Sequence, residues 1–350
     1  MWSQANAKTE QGKDFVDETE AHGRELYFSW AIREAIEQEM ERDPRVILIG
    51  EDIAVYGGAF RVTKGLLEKF GPHRVIDTPI SENSFVGIAV GAALAGLRPI
   101  VEIMFMDFIT LAMDAIVNHA ANFHYVYGEQ AKVPMVIRCP AGGGRAYGAT
   151  HSKTLEAWFM HTPGVKVVVP ATPYDAKGLL ISSIRDDNPV IFIECKLLYS
   201  LRGNVPAEPY TIELGKARIA REGDDITLIS YGRMVHECEK AAEMLLEEGI
   251  SAEVVDLRSL SPMDKETIAN SVTKTGRAVV VAEDNKFAGA SAEIMCQVVE
   301  NCFEYLDAPV LRVAAEDVPI PCAPNLERAI LPNAFKIYNA AKALLNWGRK

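Results

Sequence analysis

The chain is poor in the features that would brace a fold from outside its core or mark it for a charged or apolar partner. Its six cysteines (Cys139, Cys195, Cys238, Cys296, Cys302 and Cys322) are scattered. None forms a C-x-x-C pair or stands at zinc-ligand spacing, so they read as thiols of a reducing compartment. Cations are outnumbered, 36 Lys and Arg against 48 Asp and Glu, for a net charge of -12. Such a chain repels phosphate backbones and anionic lipid, so neither nucleic acid nor a membrane is an expected partner. No apolar run reaches ~18 residues free of charge, which leaves no transmembrane helix. The first 22 residues are polar and include Glu10, Asp14, Asp17, Glu18 and Glu20. They lack the apolar stretch of a secretory signal and the acid-poor composition of a transit peptide. Residues 1–22 are therefore expected to be a flexible extension of a cytoplasmic protein. Neither a Walker loop nor a G-x-G-x-x-G run occurs.

What is present is an ordinary soluble composition, 49% hydrophobic and 24% charged, in a chain long enough for two domains. Such a core needs no disulfide or structural metal. Apolar, β-rich runs at Arg45–Ile49, Val75–Asp77, Pro99–Met104, Val133–Arg138, Val165–Val169 and Pro189–Glu194 alternate with segments of helical length. The helical segments are Thr63–Phe70, Ser81–Leu97, Asp107–Tyr127 and Tyr174–Arg185. Continuous apolar strands between helices predict a parallel sheet covered on both faces, an α/β fold. The first domain is placed at 23–200 and a Gly- and Pro-containing linker at 201–212. A smaller α/β domain at 213–350 has strands expected near 226–230, 252–256, 278–282 and 310–313, and a last helix over Asn325–Trp347.

The densest chemical signal is Asp77–Leu97, DTPISENSFVGIAVGAALAGL. The strand ends at Asp77, Pro79 blocks its continuation, and Ser81 suits an N-cap. Glu82 then falls in the first helical turn at the carboxyl end of a strand, where open α/β sheets bind ligands. A Glu at that place also simply complements the helix dipole. The helix is crowded with glycine and alanine, as where another backbone approaches closely. A second candidate is His151 in GGGRAYGATHS, a glycine-rich loop with Arg145 inside it and a helix expected to begin near Ser152. Without further support it is an exposed loop histidine. His119, His124 and His161 are weaker candidates, and His22, His73 and His236 read as surface residues. No pair has metal spacing.

The runs GEDIAVYGGAFRVTKGLLEKFG, DTPISENSFVG, GLRPIVEIMFMDF, HTPGVKVVVPATPYDAKGLL, IRDDNPVIFIECKLLY and DLRSLSPMD closely resemble the β subunits of the decarboxylating (E1) components of 2-oxoacid dehydrogenases. That family includes the pyruvate, branched-chain 2-oxoacid and acetoin enzymes, and the resemblance runs from about Leu26 to the C-terminus. It implies a thiamine-diphosphate pyrimidine-binding domain followed by a transketolase C-terminal-like domain. It implies that Glu82 contacts the aminopyrimidine of thiamine diphosphate, where a carboxylate on the ring nitrogen favours the imino tautomer that takes the C2 proton. Ile80, Met104 and Phe108 match positions lining that pocket; on their own they read as core. His151 matches a catalytic histidine that exchanges protons around substrate and lipoyl group, work that suits an imidazole. The family's usual H-S-Q is here His151-Ser152-Lys153, so the cation Lys153 leaves the substrate class open. Carbonyl ligation of potassium carries over to Met135, Ser183, Ile184, Asp186 and Asn188, where residues alone show an ordinary helix end. The G-D-G…N motif that anchors the diphosphate through Mg2+ is missing. The resemblance therefore implies an α subunit holding that half, an α2β2 heterotetramer and a lipoyl-bearing acyltransferase core. Acetoin cleavage, two-chain ketol transfer between sugars and a non-catalytic scaffold remain as alternatives.

Overall fold

The computed structural model describes residues 23–348; the expected tail at 1–22 lies outside the described residues. The strands are β1 (Gly23–Tyr27), β2 (Val46–Gly50), β3 (Val75–Asp77), β4 (Arg98–Glu102), β5 (Val136–Ala141), β6 (Lys166–Val168), β7 (Val190–Cys195), β8 (Arg202–Pro206), β9 (Arg218–Arg221), β10 (Ile226–Ser230), β11 (Ala252–Asp256), β12 (Ser259–Ser261), β13 (Ala278–Asn285) and β14 (Leu311–Ala315). They form a seven-stranded sheet in the order β12-β6-β7-β5-β4-β2-β3, a five-stranded sheet in the order β14-β13-β10-β11-β9 and a two-stranded sheet of β1 and β8.

In the first sheet β2 to β7 run parallel. Strands such as VILIG at β2 are buried along their whole length, because helices cover both faces. On one face helices Phe28–Arg42 and Pro173–Arg185 share an apolar cluster with β2, built on residues such as Ile32, Ile36, Leu48 and Leu180. The helix Glu82–Leu94 covers the other face through Phe85, Val86, Ala89 and Val90. Pro173 starts its helix and Thr172 caps it by accepting the Asp175 N–H at 3.1 Å.

The sheets are not independent. β12, in the second half of the chain, pairs antiparallel with β6, and one apolar cluster runs from Ile47 and Val101 to Val255, Ile268 and Val280. Segment 201–212 is no bare linker, since β8 within it pairs antiparallel with β1.

Two helical expectations are corrected. Asp107–Tyr127 is a 3-10 turn at Met106–Ala112, a π-helical stretch at Asp114–Ala120 and a short helix at Phe123–Val126. Its β-branched Ile109, Thr110, Ile116 and Val117 disfavour a regular helix. The last helix is two, Pro324–Ile330 and Ala334–Leu345, separated by an extended Leu331 that precedes Pro332.

Within β4, β5 and β7 a charged triad crosses the apolar layers. Arg138 donates to Glu102 at 2.6 Å and to both oxygens of Glu194 at 2.7 and 2.9 Å. All three residues are buried.

Candidate active site

Every site residue predicted in the first domain apart from the potassium set leaves the sheet at one edge. Glu82 follows β3, Met104–Phe108 follows β4, and the loop to His151 follows β5. Since these strands are parallel, the edge is their common carboxyl end, where ligands bind in open α/β sheets.

Glu82 opens its helix, as the sequence reading has it, but Ser81 does not cap it. The Ser81 hydroxyl donates to the Ser84 hydroxyl at 2.8 Å and no side-chain capping bond is made. Glu82 is 6% exposed, and among the described residues its carboxylate has no hydrogen-bond or ion-pair partner. Burial, with Asp52 and then Glu82 as charged neighbours, pushes the Glu51 carboxyl above its ordinary value. Two acids therefore stand near each other at this edge. Ile80, just before, is 76% exposed among the described residues.

His151 sits against aromatic rings. Its imidazole meets Phe105 edge-on at 4.8 Å between centroids and Phe108 at 5.3 Å, while Thr150 lies 3.0 Å from its Nδ1. The structure thus brings His151 and Phe108 into direct contact and leaves Met104 half-buried beside Phe105. No helix starts at Ser152; the next one is Glu156–Met160.

Lys153, with its side chain 47% exposed, keeps its charge beside an acid. Its ammonium lies 3.5 Å from the buried Asp107 and donates to the Ala149 carbonyl. Arg145 donates to the Lys196 carbonyl at 2.9 Å and lies over the Phe60 ring. The two cations that could suit an anionic substrate both bond within the chain.

The residues carried over for potassium do not fit the ion. Arg98 donates from Nη1 to the carbonyls of Ile184 at 3.0 Å and Asp186 at 2.9 Å. The Met135 carbonyl accepts the Val190 N–H at 2.9 Å, and the carboxylate of Asp186 pairs with Lys166 and accepts from Asn188. Ser183 spends its hydroxyl on the Leu179 carbonyl. A guanidinium already supplies the positive charge at this helix end, and a second cation there would be repelled. Among the described residues no three His, Cys, Asp or Glu side chains cluster as metal ligands.

Of the remaining histidines, His22 lies outside the described residues. His236, read as surface, is mostly covered and bonds Ala171 O through Nε2 at 2.8 Å; its Glu239 partner helps to raise its pKa against burial, the largest cause.

Sequence reasoning missed Lys196, which is 1% exposed. Its Nζ donates to the His151 carbonyl at 2.6 Å and lies over the Phe105 ring at 5.3 Å. Burial pulls its pKa down to about 8, against the attraction of Asp107. The only signal was a lysine directly after the apolar run VIFIEC. The glycine cluster before His151, a weak phosphate-loop signal, is not a phosphate loop. Its N–H groups are taken by the carboxylates of Glu283 and Glu327.

Comparison with known proteins agrees with this architecture. Residues 25–202 match the family model "Transketolase, pyrimidine binding domain" and residues 215–337 match "Transketolase, C-terminal domain". The chain is 48% identical over 316 residues to the pyruvate dehydrogenase E1 component subunit beta of Porphyra purpurea, covering 90% of this chain and 96% of that one. It is 47% identical over 336 residues to the beta subunit of acetoin:2,6-dichlorophenolindophenol oxidoreductase of Cupriavidus necator, covering 93% and 99%. Among solved structures, an inactive beta4 tetramer of a split gene transketolase superposes with a TM-score of 0.73 at 24% identity, over 93% of this chain and 99% of that one, a likeness of fold. With both domain types in order and near-complete coverage at such identity, the chain belongs to the family of E1-component β subunits of 2-oxoacid dehydrogenases.

Proposed function

We propose that this chain forms the pyrimidine half of a thiamine-diphosphate site, shared with an α subunit, in an enzyme that oxidatively decarboxylates a small 2-oxoacid. The observation that carries the reading is Glu82, 6% exposed at the sheet's carboxyl edge and without a hydrogen-bond or ion-pair partner for its carboxylate among the described residues. The bound cofactor would supply a nucleophilic carbon and accept the electrons released with carbon dioxide. Glu82 would hold the aminopyrimidine ring of that cofactor by a hydrogen bond from its carboxylate and so favour the ring's reactive proton arrangement. Such a charge-assisted bond is worth roughly 1.5–3 kcal/mol. The exposed Ile80, with Met104 and Phe108, offers the apolar wall against the same ring. His151 donates or accepts a proton at substrate oxygen and at a lipoyl sulfur during acyl transfer; the rings of Phe105 and Phe108 hold its imidazole in place.

The α chain supplies the Mg2+–diphosphate half, because this sequence has no G-D-G run. The assembly is an α2β2 heterotetramer serving a lipoyl-bearing acyltransferase core. The open outer face of helix Glu82–Leu94, with Gly87, Ile88 and Gly91 exposed, suits close approach of another chain. No helix among the described residues is long and apolar enough to cross a membrane, and six free thiols suit a reducing cytoplasm.

Two readings compete over substrate. Ketol transfer between sugar phosphates loses support because Lys153 and Arg145 are engaged within the chain. Acetoin cleavage stays close, since one relative carries that name. The test is a substrate panel on the co-expressed α and β chains with 2,6-dichlorophenolindophenol as electron acceptor. Turnover of pyruvate or a branched-chain 2-oxoacid supports the proposal; turnover of acetoin alone, or of sugar phosphates, overturns it.

A further inference from the structure

The loop that carries His151 is gripped from the C-terminal domain. Gly142, Gly144 and Ala146 take φ of 90°, 91° and 58°. Ala146 stands there with a side chain, a conformation that persists only where surroundings enforce it. The enforcing group is Glu327, on helix Pro324–Ile330. The N–H of Gly144 donates to its Oε1 at 2.8 Å and the N–H of Ala146 to its Oε2 at 2.9 Å. Glu283, on β13, accepts the Gly143 N–H at 2.7 Å. N–H groups turned toward one point make a concavity that binds anions, and here the anion is a side chain of the same protein. Glu327 is 2% exposed, and among the described residues no cation pairs with it. Its charge is balanced by two backbone N–H groups of one loop, through bonds stronger than neutral ones. The fit is close: a Cβ on Gly143 would lie 3.2 Å from Glu327 Oε1 and 3.0 Å from Leu331 Cδ1.

We propose that Glu327 is a positioning residue, clamping the Gly144–Ala146 turn from the C-terminal domain and thereby setting the imidazole of His151 for proton transfer. The proposal rests on the role given to His151 above. Lys196 Nζ on the His151 carbonyl fixes the other end of the loop, so the turn and the His151 backbone are tied to two different domains. The C-terminal domain then takes part in the chemistry by holding a loop it does not contain.

The experiment uses the full chain assembled with its α subunit and thiamine diphosphate, with Glu327→Gln, His151→Ala and the double variant. Glutamine keeps the volume but turns an amide toward an N–H donor. The expected result is faster amide exchange across residues 142–151 and unchanged cofactor binding. Acyl transfer to free lipoamide should slow roughly 10- to 100-fold, as a misplaced catalytic group does. Added to His151→Ala, Glu327→Gln should slow transfer no further, because the two act through one group. Native exchange in Glu327→Gln, or a full multiplicative loss in the double variant, overturns the proposal. Should Glu327→Gln fail to assemble, Glu327→Asp shortens the reach to the same two N–H groups and should speed exchange and slow transfer alike; native exchange and native transfer there also overturn the proposal. If His151→Ala alone leaves transfer intact, the catalytic reading of His151 fails, and the exchange measurement still decides whether Glu327 holds the loop.

Discussion

The imidazole of His151 and the ring of Phe105 meet edge-to-face, 4.8 Å apart at 82°. Such contacts fix a ring without bonding its nitrogens, which leaves Nε2 free for proton exchange while Thr150 sits by Nδ1. Replacing His151 with Ala should spare cofactor binding and depress acyl transfer to lipoamide by about 100-fold or more, the contribution of a positioned acid–base group. Stopped-flow measurement of both partial reactions checks this; two normal rates would remove His151 from the mechanism.

Arg138 bridges Glu102 and Glu194 in the dry interior beneath this edge. Burial, the largest influence, pushes the Glu102 carboxyl up despite Arg138. Arg138→Met leaves two buried acids facing each other, which should cost about 3–5 kcal/mol. Denaturant unfolding of the assembled enzyme reads the loss, and an unchanged midpoint contradicts it.

Glu156, in the first domain, accepts the Tyr231 hydroxyl of the second at 2.8 Å. Burial and the nearby Asp284 push its pKa from 4.5 up to about 8. The folded protein therefore holds a proton that the unfolded chain releases, so stability falls as pH rises from about 4.5 to about 8. Glu156→Gln keeps the acceptor for Tyr231 and removes the titration. It should flatten this fall and raise the unfolding midpoint at pH 8 by roughly 2–4 °C. Parallel curves for wild type and variant would exclude Glu156 as the source.

The division of labour between chains also has a direct readout. Isolated β chain should bind thiamine diphosphate weakly, and binding should appear when the α chain is added, as titration calorimetry would register. Tight binding by β alone contradicts a shared site.

Much of this architecture was legible because apolar strands covered on both faces announce themselves, as VILIG at β2 does, and because Pro79 and Glu82 mark where strand gives way to helix. What escaped depends on meetings across long sequence separations. Glu327 and Ala146 come together only once the second domain docks, and nothing local in NLERAI indicates it. Lys196 looks like a surface lysine after a strand until the His151 loop folds over it. Arg98 shows no sign in sequence that it will reach the carbonyls of Ile184 and Asp186, where the family resemblance implies potassium. The charges of the Arg138 triad did leave a trace, as single ionisable residues inside apolar strands, where a buried pair is the physical solution.

The central claim is that the Glu82 carboxylate activates thiamine diphosphate, and its most direct test is Glu82→Gln in the assembled enzyme. Turnover with artificial electron acceptor should fall by about 100- to 10,000-fold while the fold, the assembly and cofactor binding persist. Near wild-type turnover in that variant would contradict it.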